Sequence, residues 1–371
     1  MQHVYLVPGF FGFANLGQIT YFGHVRGILA ARLATHGIEA RIHVVRAHPT
    51  ASLPERAAQL AEAIAATAPR GASPLHLIGH SSGGLDARLL IAPGVSLPTR
   101  SKPEQLARRV RSVVTLVTPH RGTPLASFFA TLRGQRLLQM LSLATIHLLR
   151  FGQLPIGVLL RVAGLAARLD EGVLNSELLD EVFGRLLEDF TVGRRRAVRA
   201  LLRAVVRDQA LLLQLAPEAM ELFNASVAAR PGVRCGSVVA QAARPSVRSR
   251  IAAGLDPAAQ LSRAVYGGLY RLAAATPHRR APRTNRAQAR ALQHAFGRVP
   301  DARANDGIVP TRSQVWGRIV HAARADHLDV LGHFDDPARE PRHVDWLATG
   351  SAFDRKRFEA LWDDVARFVA G

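Results

Sequence analysis

The segment Leu75–Ile91 constrains the fold of this chain more than any other stretch. A short apolar run, Leu75-His76-Leu77-Ile78, leads into Gly79-His80-Ser81-Ser82-Gly83-Gly84 and then at once into a helical run, Leu85–Ile91. A strand that turns into a helix within so few residues belongs to a sheet covered by helices. Two flanking patterns agree. Val4–Val7, Arg41–Val45, Leu75–Ile78 and Val113–Val117 are short β-branched runs, apolar without strict alternation, that predict buried strands. Between them, Gln18–His36 and Ser52–Ala68 carry helical periodicity. Ser52, Pro54 and Glu55 form a capping box with proline in the first turn. The expectation is an α/β protein with a mostly parallel central sheet flanked by helices.

From Leu125 to Leu213 strand signals stop and helical ones continue, over Leu125–Phe151, Ile156–Leu169, Ser176–Phe190 and Arg194–Leu213. In the last of these, Arg195, Arg199, Arg203 and Arg207 recur every fourth residue opposite Val198, Leu201, Leu202, Val205 and Val206. Strand signals return at Gly232–Ala240 and Arg318–Ala322, separated by Thr276–Ala304, which reads as an irregular basic segment. Asp354–Ala370 is an amphipathic helix with Phe358, Leu361, Trp362, Val365 and Phe368 on one side. The expected organisation is a core of residues 1–124 and 214–371 with a helical cap or lid inserted at 125–213.

The formal charge of +20 comes almost wholly from arginine, Lys102 and Lys356 being the only lysines. Such a surface attracts anions, and the arginine helix could lie on anionic lipid. No nucleic-acid partner is expected, because the basic residues lack aromatic interleaving or a recognition motif. Cys235 stands alone, so no internal disulfide forms. No apolar run reaches the ~18 residues of a membrane span, and the start, Met1-Gln2-His3-Val4, lacks the regions of a signal peptide. A cytoplasmic protein is expected, with peripheral lipid contact open to it.

The chemistry concentrates at the turn after Leu75–Ile78. In Gly79-x-Ser81-x-Gly83 the residues two before and two after the serine must be tiny, because their side chains would collide with the neighbouring strand and helix. Ser81 meets that condition. Ser82 does not, since His80 would occupy its minus-two position. Ser81 is thus the candidate nucleophile, and Gly79, His80 and Gly83 complete the elbow. A serine hydroxyl needs a base, and the base an orienting carboxylate. Asp306, in the turn-forming Asn305-Asp306-Gly307, and His327, in Asp326-His327-Leu328-Asp329, leave room for one strand between them. His333 and His343, and Asp301, Asp326 and Asp329, are the alternatives. A tetrahedral intermediate also needs two N–H groups aimed at its oxyanion. Ser82 would supply one. Phe10, in the glycine-bearing loop Val7–Phe13 with Phe11 and Phe13, would supply the other.

Taken together, PGFFG (8–12), GHSSGG (79–84), Val117–Ala126 (VTPHRGTPLA), NDGIVP (305–310), DHLD (326–329) and Leu215–Asn224 resemble the bacterial triacylglycerol lipases of the α/β-hydrolase superfamily. The resemblance covers roughly residues 1–126 and 214–371. It implies hydrolysis of medium- or long-chain carboxylic esters through an acyl-enzyme, with Ser81, Asp306 and His327 as triad, Phe10 in the oxyanion hole, and a helical lid. Acyl transfer, thioester cleavage and polyester depolymerisation use the same triad. A catalytically idle lipid- or partner-binding module is the non-enzymatic alternative. No organic cofactor is implied. Calcium is known near the histidine loop of several relatives, and here Asp329 matches one ligand position, while Thr284–Pro300 offers no acid. Where those relatives have His-Gly, this chain has Pro8-Gly9.

Overall fold

A computed structural model of the chain describes residues 1–10, 21–68, 71, 73–131, 134–135, 137–139, 141–142, 184, 188, 191–246, 257–275, 283–336, 345 and 347–371. Six strands form one sheet: β1 Gln2–Val7, β2 Ala40–Val44, β3 Leu75–His80, β4 Val110–Leu116, β5 Arg234–Ala240 and β6 Arg318–Ala323. They lie in the order β2-β1-β3-β4-β5-β6 and every pairing is parallel. All six overlap the strand signals of the sequence, but β2, expected to be buried, is a half-exposed edge strand. Every residue of β3, and all but one of β4, is buried, as expected of strands covered on both faces.

The covering helices in the first third are α1 Gly23–Thr35, α2 Leu53–Thr67, α3 Gly83–Ile91 and α4 Pro103–Ala107. α5 Pro124–Phe129, α6 Val192–Arg207, α7 Ala210–Gln214 and α8 Pro217–Ser226 follow β4. α9 Pro257–Ala273, α10 Arg286–Phe296 and α11 Arg355–Ala370 complete the described set. α1 packs on α11 and α2 on α3, in helical layers against the sheet. The Ser52–Glu55 capping box closes α2 as its sequence requires, the Ser52 hydroxyl accepting from Glu55 N–H and the Glu55 carboxylate from Ser52 N–H. On α11, Phe358, Leu361, Trp362 and Val365 are buried, and Trp362 Nε1 donates to the Val330 carbonyl at 3.1 Å.

Three expectations need correction. Thr276–Ala304 is not irregular throughout: Asn285 and Gln288 form a second capping box that starts α10, and Leu292 and Phe296 bury its apolar face. α9 has no counterpart in the sequence reading; its Tyr266 and Leu269 are buried in the main core. The stretch Arg194–Leu213 is two helices, α6 and α7, because Asp208 interrupts it. Its carboxylate accepts from Ala210 N–H at 3.1 Å and from the Thr50 hydroxyl at 3.1 Å. On α6, Val198 is fully buried while Arg196, Arg199, Arg203 and Arg207 are exposed. The expected helices Ile156–Leu169 and Ser176–Phe190 fall almost wholly outside the described residues, as do Phe11, Phe13, His343 and the first residues of the expected Gln18–His36 helix. Among the described residues, no helix is long and apolar enough to cross a membrane.

Candidate active site

β2 and β3 lie on opposite sides of β1, so the connections leaving β1 and β3 part at this point and open a crevice beyond the carboxyl ends of the two strands. Register fixes what faces what there. Val7 of β1 pairs with Gly79 of β3. Two residues further on, Gly9 therefore stands beside Ser81, so close that a Cβ on Gly9 would lie 2.5 Å from the Ser81 Cβ and 3.1 Å from its Oγ.

Ser81 has φ +53°, a left-handed conformation that non-glycine residues rarely adopt. The strain is held by packing on both sides. A Cβ on Gly79 would stand 2.4 Å from the Gly83 carbonyl oxygen, and one on Gly83 would stand 2.3 Å from that of Val7. Both are backbone atoms and cannot swing aside. The Ser81 N–H donates to the Leu116 carbonyl at 2.9 Å, which pins the turn to β4. Ser82, the residue before α3, has no hydrogen-bond partner for its N–H among the described residues. Phe10, in the loop leaving β1, is buried.

Asp306 and His327 meet at the same sheet edge. His327 Nδ1 donates to Asp306 Oδ2 at 2.7 Å, and neither side chain reaches solvent. The carboxylate is held as an acceptor from every side. Oδ1 takes the N–H groups of Ile308 (2.9 Å) and Val309 (2.7 Å), and Oδ2 also takes Gln314 Nε2 at 3.1 Å. His327 in turn packs on the elbow: its ring centroid lies 4.9 Å from that of His80, whose Nε2 donates to the His327 carbonyl at 2.9 Å. No hydrogen bond joins Ser81 Oγ to His327 among the described residues; such bonds are commonly loose until substrate is in place. Of the alternative residues, Asp301 pairs with Arg244, Asp326 and Asp329 bond to each other's loop, and His333 packs its ring edge-on to His24.

Several contributors escaped the sequence reading. Arg56 and Asp86 form a buried ion pair beneath the site, and Arg56 Nη2 also donates to the Pro8 carbonyl at 2.6 Å, bracing the loop that carries Gly9 and Phe10. Tyr21 reaches the same loop, and Gln314 props Asp306. Arg56 had left a trace, as a charge interrupting the apolar stripe of α2. Asp86 likewise sits, with Arg88, in a short helix in which every residue is buried.

Beside His327, carboxylate oxygens of Asp326, Asp329 and Asp345 lie within 4.8 Å of one another. Burial pushes the Asp329 carboxyl up to about 7, Asp345 up to about 8, and Asp326 well above the usual range. Asp326 Oδ1 takes the N–H groups of Leu328 and Asp329, but its Oδ2 is buried with no hydrogen-bond partner among the described residues. An orphaned carboxylate oxygen amid two further acids fits a hard cation such as calcium, which takes several oxygen ligands. Asp329 was the one acid expected at such a site. Asp345, which supplies another, lies downstream of His327 rather than upstream of Asp306.

No family model and no curated protein matches the chain. Solved structures do. EstA from Clostridium botulinum superposes with a TM-score of 0.54 at 19% identity, over 100% of this chain and 87% of that one. Lipase 1 from Pelosinus fermentans gives 0.49 at 17% identity, over 99% of this chain and 98% of that one. The Staphylococcus hyicus lipase gives 0.48 at 16%, over 100% and 95%. The likeness to EstA, together with the all-parallel order of the sheet, establishes the fold: the chain has the α/β-hydrolase fold, with its parallel sheet flanked by helices.

Proposed function

We propose that the protein is a serine hydrolase that cleaves carboxylic esters, its substrates being acyl lipids. The observation that carries this is the strained, glycine-braced Ser81 at the end of β3, on the same sheet edge as a solvent-free Asp306–His327 pair 2.7 Å apart.

Each group then has a task. Asp306 accepts the Nδ1 proton of His327, which fixes the tautomer and leaves Nε2 as the base. Nε2 takes the Ser81 proton as Oγ attacks the ester carbonyl. The N–H groups of Ser82 and Phe10 receive the oxyanion; a donor of this kind is worth roughly 10²–10³ in rate. Collapse of the intermediate expels the alcohol, protonated by His327, and leaves an acyl group on Ser81. Water, deprotonated by the same histidine, releases the acid. Asp326, Asp329 and Asp345 would hold a calcium ion, which would brace the loop carrying His327 and take no part in the reaction.

The residues from 125 to 213 are proposed as the cap, lining an acyl pocket. The exposed arginines of α6, anchored inward by Val198, support contact with an anionic lipid surface. A series of p-nitrophenyl esters from acetyl to palmitoyl, with and without micelles, tests the reading. Turnover that Ser81→Ala abolishes, and that peaks at longer acyl chains in the presence of micelles, is the expected result. Turnover unaffected by Ser81→Ala would refute it.

A further inference from the structure

Three loops have to hold register for this chemistry: the one after β1 that carries Gly9 and Phe10, the elbow, and the one carrying His327. A single buried run of hydrogen bonds joins them. Gly9 N–H donates to Tyr21 Oη at 3.3 Å, Tyr21 Oη lies 2.7 Å from His80 Nδ1, and His80 Nε2 lies 2.9 Å from the His327 carbonyl oxygen. Tyr21 also sets its ring edge against His80, centroids 5.6 Å apart.

The directions along this run admit one solution. The His327 carbonyl can only accept, so His80 Nε2 must carry a proton. Burial holds the His80 imidazole well below its usual pKa, so the ring is neutral and Nδ1 is an acceptor. Tyr21 must then donate its hydroxyl proton to Nδ1, and its oxygen lone pair is left to receive Gly9 N–H. Burial likewise raises the Tyr21 phenol above its usual range, which keeps that proton in place. Every donor finds an acceptor, and no link can reverse without orphaning another.

Resting on the proposed hydrolase reading, we infer that Tyr21 and His80 are positioning residues, which set the oxyanion loop and the base loop relative to Ser81 through this directional chain. Neither touches substrate. A buried chain of this kind is rigid, because breaking one link exposes unpaired groups at both ends. It therefore matters for geometry in the transition state and little for ground-state binding.

The test is Tyr21→Phe, which keeps the ring and removes one oxygen, compared with His80→Gln and His80→Leu. Wild-type turnover of p-nitrophenyl butyrate is established first; an inactive wild type would count against the hydrolase reading itself, separately from this one. With an active wild type, Tyr21→Phe should lower kcat about 10- to 100-fold at a KM within threefold, the scale of a small misplacement at a reacting centre. Affinity for an alkylboronic acid, which mimics the tetrahedral intermediate, should fall by the same factor as kcat/KM. His80→Gln, which keeps a side-chain N–H for the His327 carbonyl, should retain more activity than His80→Leu. A Tyr21→Phe protein of wild-type Tm with kcat within twofold of wild type would overturn the inference. So would a loss confined to KM. If Tyr21→Phe does not fold, the His80→Gln and His80→Leu comparison decides, equal kcat values refuting the chain.

Discussion

Arg56 and Asp86 form a bidentate ion pair in which neither side chain reaches solvent, Nη2 standing 2.7 Å and Nε 3.0 Å from the same carboxylate oxygen. The pair joins α2 to α3 directly behind the nucleophile. Burial pushes the Asp86 carboxyl up to about 6 against the pull of Arg56, so it is still ionised, and paired, at neutral pH. Removing one partner strands the other charge. Arg56→Met should cost about 3–5 kcal/mol in urea unfolding, whereas Arg56→Met combined with Asp86→Leu should recover most of it. The double variant still lacks the donor to the Pro8 carbonyl, so its ester turnover should stay low while its stability returns. Equal stability of the single and double variants would contradict this.

Glycine at the elbow is a requirement of space. Gly83→Ala must push a methyl group into the Val7 and Pro8 carbonyls, at 2.3 and 2.7 Å. A loss of about 1–3 kcal/mol or more is expected from such overpacking. Gly27, exposed within α1 with nothing within 4 Å of its would-be Cβ, is the control. Gly27→Ala should stabilise by roughly 0.5–1 kcal/mol. Chemical denaturation of both variants checks the contrast, and similar effects in the two would refute it.

Acid should weaken the fold through its buried histidines. Burial lowers His76 to about 4 and holds His80 and His120 well below their usual value. The unfolded chain binds protons at these sites from about pH 6.5 downward, and the native state does not. Stability is thus fully present above pH 6.5 and falls as pH drops through the window toward 4, by about 1.4 kcal/mol per pH unit for each histidine titrating only when unfolded. Replacing His76 with Gln should flatten the slope of urea-unfolding free energy against pH. An unchanged slope would count against a neutral His76.

The acidic trio next to His327 has the opposite sign. Carboxyls raised by burial favour the protonated state, so their contribution holds at low pH and is lost as pH rises through about 7 to 8. A cation reverses that loss, because it binds the ionised oxygens. Added calcium should raise the Tm at pH 8, do so less at pH 6, and have no effect on an Asp329→Asn protein. A Tm at pH 8 indifferent to both calcium and EDTA would exclude the site.

The inner strands were legible because parallel strands buried on both faces are largely apolar runs, whereas the edge strands β2 and β6 are only half-buried and carry Arg41, His43, Arg318 and His321 within weaker signals. The strained turn at Ser81 and the loop of Asp306 that meets His327 were legible for a different reason: glycines two residues either side of Ser81 and the Asn-Asp-Gly turn are local signals. What stayed hidden is what depends on contacts across the fold. α10 was missed because Arg286 and Arg290 mask a helix whose inward face is only Leu292 and Phe296. Tyr21 and His80 carry no local mark of their partnership, 59 residues apart. Asp345 stands far from Asp326 and Asp329 in sequence and joins them only in the folded structure.

The central claim is that Ser81 Oγ is an activated nucleophile with His327 as its base. Its most direct test is labelling with a fluorophosphonate probe followed by mass-spectrometric mapping of the modified peptide. A single adduct on Ser81 is predicted, absent from Ser81→Ala and strongly slowed in His327→Ala but not in His333→Ala. An unlabelled wild type, or an adduct that persists in Ser81→Ala, would contradict the account.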